Sequence, residues 1–243
     1  DNAGGYLRPT DHMGDSFIEN LKANMVTAGL GAQVMSGLSG NVAIPKIATG
    51  TTVYWVAEDG APTEGQPVFA QLTMSPKNLA AYVQISRNLV LQSDPSVEAM
   101  VQDDISRAIA VAIDAAALAG SGSSNQPTGI ISTTGIGSVS FSSGGAPTFA
   151  EIVSVESAIT VDNAVTGDLN WVTHPTLGGT LKTTTKDSGS GRFVSEDGQI
   201  LGYPVSITSS CTSGNIVLGS FNELIVGQWG AVELITDRSA TTG

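Results

Sequence analysis

Charge is scarce in this chain. Of its 243 residues, 13% are Asp, Glu, Lys or Arg, about half the share of an ordinary soluble domain. The charges present are mostly acidic, 22 against 10, for a net charge of −12. A nucleic-acid binder offers phosphates a basic stripe, and none runs along this sequence, which argues against a direct grip on DNA. The same acidity suits a wall that DNA slides past, because like charges repel. Cysteine occurs once, as Cys211, which excludes an intrachain disulfide and any Cys-based metal site. The two histidines, His12 and His174, lie far apart. The longest apolar run, 108–119, is broken by Asp114 and is too short to cross a bilayer. No signal-peptide pattern opens the chain, and no Asn-X-Ser/Thr sequon occurs. Asp1 in place of Met is expected of a processed or trimmed chain.

Motifs for chemistry are equally thin. A Ser-His-Asp hydrolase would use His174 as its base, but no Gly-x-Ser-x-Gly elbow accompanies it, and His174 before Pro175 reads as structural. Gly120-Ser121-Gly122 and Ser188-Gly189-Ser190-Gly191 imitate a phosphate loop without its Gly-Lys-Ser/Thr ending, so both read as connectors. Asp103-Asp104 and Glu58-Asp59 read as solvated charges or as partners of Arg and Lys across a subunit contact. Cys211 reads as a lone thiol. Trp55, Trp171 and Trp229 read as core or interface anchors. No cofactor or metal is expected.

Gly, Ser, Thr and Ala take the place of charge, and a neutral polar surface suits extensive protein–protein contact. The length allows one large domain or two small ones. The strongest element is a helix over about 96–119. Asp94 and Pro95 open it, and Gly120 and Gly122 close it. Val97, Val101, Ile105, Ile109 and Ile113 recur every fourth residue and predict one buried stripe, with Met100, Ala108, Ala112 and Ala116 beside it. Glu98, Gln102, Asp103, Ser106 and Arg107 fall mostly off it. Asp114 interrupts the apolar side and is expected to hydrogen-bond a nearby loop.

Before the helix, residues 1–13 read as an extended arm and 14–28 as a short helix carrying Phe17, Ile18, Leu21, Met25 and Val26. Residues 51–57 and 79–86 have strand composition, and 68–74 alternate in polarity. With the turn-rich 58–67 between them, 44–86 reads as one long hairpin. Such a hairpin is marginal alone, so its Tyr54, Trp55, Val68, Phe69 and Tyr82 need something to lie against. After the helix, 120–147 reads as loop with short strands. Thr148 and Glu151 form a capping box opening a helix to about Val161. A strand at 170–173 and a short helix near 175–183 follow, then a mobile loop at 186–192. Strands are predicted near 204–208, 215–218, 223–227 and 231–236. The mixed order is α+β.

In order along the chain, several segments resemble the major capsid proteins of tailed double-stranded-DNA phages, the Hong Kong 97 type. They are Ile44-Pro45, then Tyr54-Trp55-Val56-Ala57-Glu58, then Val83-Gln84-Ile85-Ser86-Arg87. Next come Ile113-Asp114 with Leu118-Ala119-Gly120, and Gln126-Pro127-Thr128-Gly129-Ile130. Trp171-Val172-Thr173-His174-Pro175, Leu181-Lys182, Lys186-Asp187 and Gly191-Arg192 follow. Leu201-Gly202-Tyr203-Pro204-Val205 and Val217-Leu218-Gly219-Ser220-Phe221 complete the series. The resemblance departs at the end of the chain, where the family continues past the segment like 231–237. Lys46 and Lys77 sit where some members carry cross-linking lysines, but no cross-link is assigned. There is also no long N-terminal coiled coil of the scaffolding kind.

The resemblance implies an N-terminal arm (1–36), an extended hairpin and peripheral strand (37–92), a spine helix and connector (93–126), an axial domain (127–225) and a return strand (226–243). It implies a shell protein, not an enzyme, that assembles with itself into pentamers and hexamers. Its other partners would be a scaffold, a portal and a maturation protease, and the shell would enclose DNA without reading its sequence. No membrane partner is implied. Assembly would occur in the bacterial host cytoplasm, and the product would be a virion. Interface residues implied are Tyr54, Trp55, Glu58, Phe69, Lys77, Arg87, Lys186 and Arg192. An encapsulin-like nanocompartment shell is the alternative within the fold, and a Ser/His hydrolase is the alternative outside it.

Overall fold

The computed structural model describes residues 25–61, 64–85, 96–142, 146–162, 164–165, 167–189 and 191–230, with side chains of the long helix described from Met100 onward. They fall into two compact units. The larger takes 25–34 and 77–226, and the smaller takes Met35–Pro76 and Gly227–Gly230. The predicted helix at 14–28 lies largely outside the described residues, as do Arg87 and the predicted strand at 231–236. Within them it survives as the single turn α1 (Val26–Gly29).

In the larger unit the long helix is α2 (Ser96–Ala119), with the boundaries that its sequence predicts. Its buried line is one position away from the predicted stripe. Ser106, Ala110, Asp114 and Leu118 are the buried residues, four apart, while Val101, Ile105, Ile109 and Ile113 are half-buried and Met100 and Ala108 are exposed. The reason is close packing. Small Ala110 receives Met25, and polar Asp114 receives hydrogen-bond donors from α1, so hydrophobicity alone misplaces the face.

The end of α2 explains the Gln126-Pro127-Thr128-Gly129-Ile130 segment. The last carbonyls of any helix lack intrahelical partners. Here the chain folds back and supplies them. Ile130 N–H donates to Ala117 O and Ile131 N–H to Leu118 O, both at 2.9 Å, and Gly129 N–H donates to Gly120 O at 2.9 Å. The two backbones come so close that neither glycine has room for a side chain. A Cβ on Gly129 would meet the Gly120 nitrogen and would stand 2.7 Å from both Ala116 O and Ala119 N. A Cβ on Gly120 would run into the carbonyls of Pro127 and Ala116.

A five-stranded sheet carries the rest of this unit, in the order β5-β6-β7-β4-β8. The strands are β4 (Leu169–Thr173), β5 (Ser195–Glu196), β6 (Gln199–Ile200), β7 (Tyr203–Ile207) and β8 (Ile216–Ser220). Central β4 runs parallel to β7 and antiparallel to β8, with Trp171 opposite Val205 and Leu218. Successive strand residues face opposite sides, and β4 uses both. Trp171 enters a cluster with Ile152, Leu177, Leu181, Val194 and Ile200, and its indole N–H donates to Ile200 O at 3.0 Å. Val172 enters the cluster of Leu118, Cys211 and Phe221. One strand therefore joins the end of α2 to the helices on the other face.

Those helices are α3 (Phe149–Val161) and α4 (Pro175–Leu181). The predicted capping box is present. Glu151 accepts from Thr148 N–H and Oγ1, and also from Ser142 N–H and Oγ. The Ser142 hydroxyl and amide, then the Thr148 amide, hold the Glu151 carboxyl down at about 2 against its ordinary value of 4.5. His174 caps α4, its Nδ1 accepting from Thr176 N–H at 3.3 Å, which is the structural role its position before Pro175 suggests.

Replacing Gly129 with Ala forces backbone against backbone, and overpacking of this kind costs about 1–3 kcal/mol. Gly129→Ala is expected to lower the denaturant midpoint of the free subunit accordingly. An unchanged midpoint would show that the crossing has slack.

Candidate assembly surface

The smaller unit is built on β2 (Val42–Thr49) and β3 (Val68–Met74), paired antiparallel with Ile44 opposite Leu72 and Ile47 opposite Phe69. Beyond the ladder the two legs stay together. A Cβ on Gly65 would stand 3.1 Å from Thr52 O, and Gly60 N–H closes the tip on Ala57 O at 2.8 Å. Trp229 anchors this unit near its start, its indole N–H donating to Gly40 O at 2.7 Å. It lies at the end of β9 (Ile225–Trp229), which pairs with β1 (Gln33–Leu38).

A hairpin is present within the predicted span, but its first strand is 42–49 in place of the expected 51–57. Residues 51–57 and 79–85 form no strand. Their β-branched and aromatic residues suit a pleated surface, yet propensity needs a ladder partner to act on, and none pairs with them among the described residues.

A two-stranded sheet cannot bury its own side chains. Trp55 is wholly exposed, Val53 is 90% exposed, Phe69 69% and Ile47 65%, with Tyr54, Val56, Val68 and Leu72 about half exposed. Scattered exposed apolar residues are ordinary. A group of eight on one short hairpin is a candidate interaction surface. Glu58 and Asp59 at the tip are exposed.

The other described interface candidates, Lys77, Lys186 and Arg192, lie in the larger unit. Lys77 is exposed. Lys186 and Arg192 converge on Glu196. Arg192 Nη2 is 3.0 Å from the Glu196 carboxylate and Lys186 Nζ 3.9 Å, and Phe193 N–H donates to it at 2.7 Å. The Phe193 amide first, then Arg192, pull the Glu196 carboxyl below its ordinary range. Lys186 also lies 5.7 Å from the centre of the Phe149 ring. The loop expected to be mobile is thus pinned at its neck, where Thr185 bridges Phe193 and Lys186 N–H donates to Arg192 O at 2.9 Å. Sequence reading missed Glu196, the group that organises this loop. Its spacing of four from Arg192 was the available signal.

Among the described residues no helix is long and apolar enough to cross a membrane, and no group of three His, Cys, Asp or Glu side chains could hold a metal ion. Asp103 and Asp104 are exposed on α2. Cys211 is buried, its thiol donating to Asn215 O at 3.6 Å, and burial pushes its pKa up.

Known proteins are similar to this chain in sequence and in fold. The chain is 30% identical over 238 residues to the major capsid protein of Halomonas phage phiHAP-1, covering 97% of this chain and 39% of that protein. It is 29% identical over 128 residues to the major capsid protein of Klebsiella oxytoca phage phiKO2, covering 53% of this chain and 30% of that protein. It therefore spans well under half the length of these curated relatives. Among solved structures, the capsid of the native GTA particle superposes with a TM-score of 0.64 at 21% identity, covering 80% of this chain and 73% of that one. A chain from Mycobacterium phage Cain superposes at 0.60 with 14% identity, covering 84% of this chain and 70% of that one. The fold is the α+β, Hong Kong 97-type fold of phage capsids. The Phage capsid family profile matches residues 4–243, and the chain belongs to that family of viral structural proteins.

Proposed function

We propose that this chain is the shell-building part of a phage major capsid protein. It assembles with copies of itself, through pentamers and hexamers, into an icosahedral shell around double-stranded DNA. The observation that carries this reading is the hairpin of exposed apolar side chains around Trp55 and Phe69 in a member of the phage capsid family. The hairpin, with Tyr54, Trp55, Glu58 and Phe69, lies over an adjacent subunit. The axial region, about 127–225, forms the pentamers and hexamers, with Lys186 and Arg192 at its contacts. The N-terminal arm, 1–36, reaches across another copy, and Lys77 and Arg87 join the contacts between subunits. Each contact is modest. Simultaneous contacts raise effective concentration and slow the release of any one subunit, and symmetry repeats them around the shell.

The net charge of −12 suits an inner wall that holds DNA without binding it. The shell is assembled in the host cytoplasm with a scaffold, a portal and a maturation protease, and ends as the virion. No observation favours a nanocompartment shell. The hydrolase alternative also lacks support, because His174 spends Nδ1 on capping its own helix.

Electron microscopy of the full-length protein, expressed with its scaffold if one exists, is expected to show rings or shells. A monodisperse monomer under every assembly condition would contradict the proposal. Deleting 58–67 should leave the subunit folded and impair shells; unfolding of the subunit instead would place the loop in its core. Trp55→Ser with Phe69→Ser should change subunit stability by no more than about 0.5 kcal/mol, as exposed sites do, yet lower shell yield. Normal yield would remove these two side chains from the interface.

A further inference from the structure

Residues 25–33 are held at both ends by groups distant in sequence. At the front, Asp114 of α2 meets the first turn of α1. Its Oδ2 accepts from Val26 N–H at 2.7 Å, and its Oδ1 accepts from Thr27 N–H at 3.1 Å and from the Thr27 hydroxyl. At the back, Gln33 N–H donates to Leu224 O at 2.8 Å and Gln33 Nε2 donates to Asn222 O at 3.0 Å. In between, Leu30 packs on the Leu118 cluster and Met25 packs on Ala110.

The front anchor is the unusual one. Met25 stands where a capping residue belongs and has no side-chain oxygen to offer. The first-turn donors would be orphaned, and a carboxylate from 88 residues away takes them. Asp114 and Thr27 are both buried. Among the described residues Asp114 has no ion-pair partner, so its hydrogen bonds alone offset the cost of burying it. Two acceptor oxygens facing three donors are what a carboxylate supplies and an amide does not.

We infer that Asp114 is a positioning residue for assembly: its carboxylate clasps residues 26 and 27 and thereby fixes the segment 25–31 against α2. The assembly half of this inference rests on the proposed function; the clasp itself does not. Gln33 has its own tie to Leu224, so opening the clasp frees residues 25–31 without unfolding the sheet.

The experiment compares Asp114→Ala, Asp114→Asn and Thr27→Val with the wild-type chain by hydrogen exchange of the free subunit, followed by assembly. Loss of hydrogen bonds to a charged group should speed exchange in peptides covering 25–31 by on the order of 10- to 100-fold in Asp114→Ala. The increase should be smaller in Asp114→Asn, which keeps one acceptor, and smaller still in Thr27→Val. Peptides from β4 and β8 should keep their wild-type rates, and shell yield should fall in the same order. Unchanged exchange at 25–31 would overturn the clasp. Equal acceleration through β4 and β8 in the two milder variants would overturn it too, because Asp114 would then act on global stability. If the clasp opens and shells form in full yield, the positioning role fails. If the wild-type chain forms no shells, the proposed function fails while the exchange data still decide the clasp.

Discussion

The rest of the larger unit depends on a backbone crossing where two glycines meet. A helix of 24 residues must end somewhere, and its last carbonyls need donors. The amides of Gly129, Ile130 and Ile131 supply them, which is possible only because Gly120 and Gly129 leave space for two main chains to touch. This fixes the end of the helix relative to the chain that leaves it. Leu118, one residue before the last, is then delivered to Val172, and Trp171 beside it faces the opposite cluster. Helix, crossing and central strand form one continuous path of backbone hydrogen bonds and packed side chains.

The same molecule is built in opposite ways at its core and at its hairpin. Carboxylates of the larger unit gather several donors each, four on Glu151 and three on Asp114. The hairpin leaves Trp55, Val53, Phe69 and Ile47 in solvent. A chain with so little charge has few solvated groups to shield such a surface, and a phage capsid protein has a reason to keep it. Under the proposed function, burial of that surface is the driving force that holds a neighbouring copy.

How much of this was legible in the sequence depends on how local each signal is. The bounds of α2, the capping box at Thr148 and Glu151 and the strand β3 all follow from residues near one another in the chain, whereas the partner that Asp114 takes lies 88 residues away. The buried face of α2 does not. Periodicity finds the most hydrophobic line, but the structure buries the line where Ala110 admits Met25 and Asp114 admits α1. The strand composition of 51–57 and 79–86 is equally real, and lacks only the partner that would make it a ladder. The Gln126-Pro127-Thr128-Gly129-Ile130 segment stood out as a family-like motif before its reason was visible, since nothing local shows that Gly129 must pass beside Gly120. The candidate surface was half legible: Tyr54, Trp55, Glu58 and Phe69 lie together on the hairpin unit, while the link from Lys186 and Arg192 to Glu196 emerged only from the folded loop.

The central claim is that the exposed hairpin is covered by another copy of the chain. Hydrogen exchange of residues 42–74, measured on the free subunit and on assembled shells of the same protein, tests it most directly. The account predicts fast exchange across 51–57 in the free subunit and strong protection of that stretch and of the β2–β3 ladder in the shell. Equal exchange in both states would mean that the hairpin stays bare after assembly, and would contradict the account.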